Sequence, residues 1–144
     1  MYKTGEWRPL SSLLMNPRTQ KQIVGEYGEN AASAFLVKKG LRILDRNYRK
    51  PWGEIDIVAI KDKVIHFVEV KTVVRDGGLE KADSWEPEDN LHPWKLKRLS
   101  RTIETYLLQY FDDNEPDWVF DALLVTISRQ NEIRNIEWIE DIEL

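Results

Sequence analysis

The sequence predicts an α/β domain in which one mixed sheet is covered by helices. Three observations point there. Residues 53–72, Gly-Glu-Ile-Asp-Ile-Val-Ala-Ile-Lys-Asp-Lys-Val-Ile-His-Phe-Val-Glu-Val-Lys-Thr, read as two strands joined by a tight polar turn. Their side chains are apolar toward both faces apart from a few charged groups and His66, the pattern of interior strands. Two stretches flanking that hairpin, residues 20–39 and 93–111, repeat apolar residues at the helical period.

Residues 1–19 hold Pro9 and Pro17 without sustained periodicity, so they read as an N-terminal tail with at most a short helical turn around Leu13. Residues 20–144 form a single domain. In the first helix, 20–39, Ile23, Val24, Ala31, Ala32, Phe35 and Leu36 make the apolar stripe, Lys38 and Lys39 suit the last turn, and Gly40 is a left-handed stop. Residues 41–48 form a first strand, which Lys50-Pro51-Trp52-Gly53 interrupts because proline cannot donate to a ladder. Strands 54–61 and 64–72 follow, with Lys61-Asp62-Lys63 as their turn. Residues 75–92 contain Gly77, Gly78, Pro87 and many acids, and read as a long loop. His92-Pro93 opens the second helix, whose stripe is Leu96, Leu99, Ile103, Leu107 and Tyr110, and residues 112–116 end it. Residues 118–128 and 134–142 supply two further strands, giving the order α-β-β-β-α-β-β.

The chain has 144 residues, 42% apolar and 32% charged, enough for one soluble domain with its own core. No apolar run approaches the ~20 residues that span a bilayer, and Leu13-Leu14-Met15 is too short for the core of a signal peptide. A cytoplasmic protein without membrane contact is the expectation. The absence of cysteine excludes disulfides and thiolate metal sites. A net charge of −4 does not suit a protein that coats nucleic acid nonspecifically. Residues 76–92 carry six acids against one lysine, however, and 132–144 five against one arginine, so the remainder is net positive. That remainder includes Arg42, Arg46, Arg49 and Lys50 before the central strands and Lys95, Lys97, Arg98 and Arg101 on the second helix. These are either a solvated surface or a rim that faces phosphate.

Asp56, Glu69 and Lys71 are the charges set into the apolar hairpin. Buried charges cost several kcal/mol unless paired or bound to metal. By strand alternation Glu69 and Lys71 share a face, roughly 6.5–7 Å apart. A hard divalent cation, Mg2+ or Mn2+, is the compensating partner that two carboxylates suggest. The competing reading is a structural ion-pair network, a poor source of stability. With a metal the set suits phosphodiester hydrolysis, in which Lys71 would orient the attacking water and offset developing negative charge. Glu29 lies on the inward stripe with Ala32 and Leu36, unless it only makes a pair within its helix. Glu54 stands at the strand entrance, and Asp121 reads as a partner of a basic group. His66 reads as packed beside its strand neighbours, and His92 as the end of the acidic loop.

Gly25-Glu26-Tyr27-Gly28-Glu29, Gly53-Glu54-Ile55-Asp56, Val68-Glu69-Val70-Lys71, a lysine opening the second helix and Phe120-Asp121 together resemble the PD-(D/E)xK nuclease superfamily. More narrowly they resemble its YraN-like family, related to Holliday-junction resolvases, over about residues 22–128. The resemblance implies a restriction endonuclease-like α-β-β-β-α-β core and a metal-dependent endonuclease acting on DNA, including branched or other non-duplex structures. It implies Asp56 and Glu69 as metal-binding acids, the Val70 backbone carbonyl as a third ligand, and Lys71 as the catalytic lysine. Glu29 would be the acid of the first helix, holding a metal-bound water or a second ion, and Lys95 the basic residue opening the second helix. Arg46, Arg49, Lys50, Lys95, Lys97 and Arg98 are the expected nucleic-acid contacts. Resolvases of the superfamily act as dimers, which leaves a homodimer open; no small-molecule cofactor is expected. The chain has six tryptophans. Trp52, Trp85 and Trp94 fall near the proposed site, as packing residues or as platforms for unpaired bases, whereas Trp118 and Trp138 suit strand packing. The alternative function is a non-catalytic nucleic-acid-binding or protein-interaction domain on the same fold.

Overall fold

The computed structural model describes residues 18–75 and 92–144; most of the expected tail and of the expected acidic loop, with Trp85, lies outside them. The described elements are α1 (Gln20–Lys38), β1 (Arg42–Lys50), β2 (Gly53–Lys61), β3 (Val64–Val74), α2 (Pro93–Phe111), β4 (Asp117–Ile127) and β5 (Ile133–Ile139). Among the described residues no helix is long and apolar enough to cross a membrane.

Local chemistry sets the boundaries. Thr19 caps α1 through a capping box, its hydroxyl accepting the Gln22 N–H at 3.1 Å while Gln22 Oε1 accepts the Thr19 N–H at 2.9 Å. Gly40 follows the helix at φ 95°. Asp62 and Lys63 both have positive φ, as a type I′ hairpin requires, so β2 turns directly into β3. β1 runs to Lys50, two residues beyond expectation, because Pro51 and Trp52 sit in the turn and Lys50 pairs with Gly53. β5 stops at Ile139, short of the expected 142. Asp141 adopts φ 55° and gives its N–H to the Asp121 side chain at 2.9 Å, which removes it from the ladder.

The five strands lie in sequence order. β1/β2, β2/β3 and β4/β5 are antiparallel; β3 and β4 are parallel, as a connection carrying α2 allows. β3 is therefore the central strand. Residues alternate between two cores. Val58 opposite Phe67, with Ile65 and Phe120, packs against Leu99, Ile103, Tyr106 and Leu107 of α2. Ile57 opposite Val68, with Ala59, Leu123 and Val125, packs against Ala32 and Leu36 of α1. Trp118 meets Phe67 edge-on at 5.7 Å and Trp138 meets Phe35 at 6.2 Å, so these two tryptophans pack as expected.

Two glycines fix how near the helices come. A Cβ on Gly28 would fall inside the Thr72 side chain, so α1 lies on β3 at that crossing. A Cβ on Gly53 would overlap the Thr102 hydroxyl and stand 3.3 Å from the Arg98 carbonyl, so β2 begins directly beneath α2. Gly28→Ala gains about 1 kcal/mol of helix propensity but forces α1 off β3. We expect a net loss of ~1–3 kcal/mol, read as a lower urea midpoint, with Thr72→Ala in the same chain restoring part of it. A Gly28→Ala protein as stable as the parent would show that the crossing relaxes freely.

Candidate metal and nucleic-acid site

The β2/β3 ladder runs from Lys61 opposite Val64 to Ile57 opposite Val68 and ends there. The next residues on the two strands are Asp56 and Glu69. Asp56 Oδ2 accepts the Val70 N–H at 2.8 Å. A side-chain carboxylate thus takes a donor that a backbone carbonyl would take in a continued ladder. Asp56 is 7% exposed. Glu69 is partly buried and pairs with Lys95 Nζ, from the first turn of α2, at 2.9 Å. Both acids line a cavity of about 470 Å³ whose basic wall is Arg49, Lys50, Lys95 and Arg98, with Trp94 beside them. The end of β1, the start of β2, the middle of β3 and the start of α2 all meet there.

Loss of water raises the pKa of the Asp56 carboxyl, and the neighbouring Glu69 charge raises it further, to about 8 against an ordinary 3.8; the Val70 N–H opposes them. The Glu29 and Glu54 charges push the same way. Glu29 stands on α1 with Arg46 Nη2 at 3.8 Å, and its own pKa is raised, chiefly by desolvation, against the Asn47 hydrogen bond and the Arg46 charge. It lines a second cavity, about 660 Å³, that shares Arg49 and Glu54 with the first. Four carboxylates therefore face one end of the β1–β2 hairpin, two of them short of solvent.

That donor set fits a hard dication. Among the described residues no cluster of three or more acidic or histidine side chains could hold a metal ion. Mg2+, however, is commonly held by one or two carboxylates, with waters and substrate oxygens completing its shell. A buried acid with a raised pKa beside a second acid is where a dication would restore ionisation. Asp56 and Glu69 would be its side-chain ligands. Val70 stands next to both, its N–H committed to Asp56.

Other expected residues fall elsewhere. Lys71 is exposed and, among the described residues, makes no ion pair, which corrects the reading of it as a buried charge; the core of α2 does not extend over this part of β3. Arg46 turns to Glu29, and Lys97 lines a shallower groove beyond Trp94, so neither belongs to the wall around Asp56. Glu54 is exposed on the cavity rim, 3.9 Å from Arg49. Asp121 is fully buried and accepts His66 Nδ1 at 2.6 Å, Trp138 Nε1 at 3.0 Å and the Asp141 N–H. It ties β3, β5 and the chain end together, and His66 is hydrogen-bonded rather than merely packed. Sequence reasoning passed over Asn47, which at φ 54° lines the second cavity with Glu29. An asparagine between strand residues was the available signal.

Residues 28–125 match the uncharacterised protein family UPF0102. A UPF0102 protein of Campylobacter fetus is 32% identical over 119 residues, covering 83% of this chain and 97% of that protein. One of Helicobacter hepaticus is 37% identical over 112 residues, 78% of this chain and 92% of its own. One of Campylobacter jejuni is 41% identical over 85 residues, 59% of this chain and 69% of that protein. The matched span holds Glu29, Asp56, Glu69, Lys71 and Lys95.

The raised Asp56 pKa makes stability depend on pH. The folded state holds this proton more tightly than the unfolded chain. The group's contribution is thus fully present below pH 3.8 and is lost as pH rises through about 8. In chelator at pH 9, Asp56→Asn should be more stable than the parent by at least ~1 kcal/mol, or ~3 °C in melting temperature. The difference should close towards pH 4. Parallel melting curves at all pH values would mean that Asp56 is well solvated.

Proposed function

The chain belongs to the uncharacterised protein family UPF0102, the YraN family, and within it we propose that this protein is a metal-dependent endonuclease hydrolysing DNA phosphodiester bonds. One observation carries the reading: two carboxylates, Asp56 and Glu69, share a cavity with a basic wall of Arg49, Lys50, Lys95 and Arg98. Acids that bind a dication and cations that bind phosphate are both required for this chemistry.

A bound Mg2+ or Mn2+ would supply Lewis acidity and a water ionised near neutral pH. The protein's own groups do the rest. Asp56, fixed by the Val70 N–H, and Glu69 set two carboxyl groups at fixed places on the cavity wall, where they would hold the ion. Arg49, Lys50 and Arg98 draw in and orient the DNA backbone. Lys71, on the face of β3 that carries Glu69, orients the attacking water or stabilises the charge that develops on phosphate. Its exposure leaves it free to turn towards substrate. Glu29 positions water from the adjoining cavity.

The second reading is a non-catalytic DNA-binding domain, and the Lys95–Glu69 pair favours it. An ammonium at 2.9 Å satisfies the second acid without any metal. Under the nuclease reading, Glu69 would hold the ion in place of Lys95, and Lys95 would be left to bind phosphate.

The decisive assay offers plasmid, single-stranded and four-way-junction DNA with Mg2+ or Mn2+. Asp56→Asn and Glu69→Gln should each lower cleavage by at least ~100-fold while keeping the native circular dichroism spectrum. Lys71→Ala should lower cleavage comparably but spare the metal-induced rise in melting temperature, equivalent to ~2.7 kcal/mol at a hundredfold excess over Kd. Lys50→Ala should weaken DNA binding and reduce its salt slope by about one. Parent protein that binds DNA but neither binds a dication nor cleaves would establish the binding domain. Cleavage surviving Asp56→Asn/Glu69→Gln would place the chemistry elsewhere.

A further inference from the structure

The exposed side of α2 carries a strip that runs on from the basic wall of the cavity. Trp94, Lys97, Arg98 and Arg101 recur at helical spacing, so they line one side of the helix over ~10 Å. Trp94 is 59% exposed. Across the strip lies Trp52, from the turn between β1 and β2. The Arg98 guanidinium stands 5.5 Å from the Trp94 ring centre, and that of Arg101 4.3 Å from the Trp52 ring centre. Arg98 Nε also donates to the Trp52 carbonyl at 3.1 Å, tying α2 to the turn. Beyond Trp94 the His92 ring lies parallel to it, 3° between planes and 6.4 Å between centres. Trp52, Trp94, Lys97, Arg98 and Arg101 border a groove of about 540 Å³, whose single acid among the described residues is Glu104. The groove runs into the cavity of Asp56 and Glu69, since Trp94 and Arg98 line both.

A large exposed indole gains little by facing water, and a cation over an exposed ring is worth only ~0.5–1 kcal/mol. That leaves Trp94 with an unused aromatic surface among three cations. Bases of a duplex are already stacked on one another, so an indole beside the helix gains nothing from them. An unpaired base has a free π-face, and its strand brings phosphates for Lys97, Arg98 and Arg101.

We infer that the strip Trp94–Arg98–Arg101, with Trp52, binds a single-stranded DNA segment leaving the cavity of Asp56 and Glu69, with an unpaired base stacked on Trp94. The inference rests on the nuclease reading, which places the cut at the cavity of Asp56 and Glu69. It assigns the protein a substrate class: DNA with an unpaired stretch within a few nucleotides of the cut.

The test is binding in chelator, where no cleavage occurs, by anisotropy of a labelled oligo-dT and of a blunt duplex, with tryptophan fluorescence read in parallel. The parent should prefer oligo-dT by roughly tenfold or more and lose fluorescence on binding it. Trp94→Ala should weaken oligo-dT binding roughly tenfold and leave duplex binding unchanged. Trp94→Phe should keep most of the affinity while losing most of the quench, a result that loss of fold does not produce. Arg101→Ala should lower the salt slope for oligo-dT by about one. If Trp94→Ala binds oligo-dT as the parent does while Lys50→Ala weakens both ligands, the strip is overturned and the nuclease reading stands. If the parent binds neither DNA, both fall.

Discussion

The hydrogen bond from the Val70 N–H to Asp56 Oδ2 is the contact on which the site depends. Two central strands part after Ile57 and Val68, and an unpaired N–H at that place would cost about as much as a lost hydrogen bond. A carboxylate takes it. One bond thus satisfies the backbone where the ladder opens, fixes the orientation of the acid, and holds it out of water next to Glu69. The raised pKa of Asp56 follows directly, because one N–H does not offset desolvation together with three neighbouring carboxylates. The sheet can open here only because an acid closes the gap, and the acid is costly until a cation joins it.

The helices complete that arrangement from opposite faces. Gly28 lets α1 lie on Thr72, which carries Glu29 to the edge of the hairpin, where Arg46 and Asn47 meet it. Gly53 lets β2 begin under Arg98 and Thr102, so that the first turn of α2 delivers Lys95 to Glu69. Both glycines act by lacking a Cβ, and both stand within three residues of an acid of the site. The motif residues Gly28-Glu29 and Gly53-Glu54-Ile55-Asp56 therefore work as pairs, a close approach followed by a charge.

Charge at the site is balanced in two layers. Within the cavity, Lys95 partly neutralises Glu69, whereas Asp56 has only a neutral donor. Arg49, Lys50 and Arg98 add positive charge to the same wall, and Arg101 extends the positive surface along α2 to the tryptophans. A protein of net charge −4 can in this way present a local cationic surface to a polyanion, since field and screening act over ~10 Å rather than over the whole molecule.

The order α-β-β-β-α-β-β, the two helices and the β2/β3 turn were legible because each rests on local chemistry: helical period, strand alternation, a left-handed Gly40, the Asp62-Lys63 turn. The ends of β1 and β5 were not, because the Lys50–Gly53 pairing and the bond from Asp141 to Asp121 set them. Asp56 and Glu69 could be singled out because charges in an apolar strand stand out in one dimension as well as in three. Lys71 could not be judged that way. Alternation gives the face of a strand but not whether another element covers it, and the core of α2 stops short of Lys71. The partners of the charges were equally hidden: Lys95 with Glu69, Arg46 with Glu29 and His66 with Asp121 lie 26, 17 and 55 residues apart. Such pairings depend on how closely the helices cross the sheet, which the side-chain volumes at Gly28 and Gly53 decide only once the fold brings Thr72 and Arg98 against them. The sequence by itself determined the elements and which acids are out of place; the tertiary structure decided which of those acids share a cavity, because burial and distance belong to the packed chain.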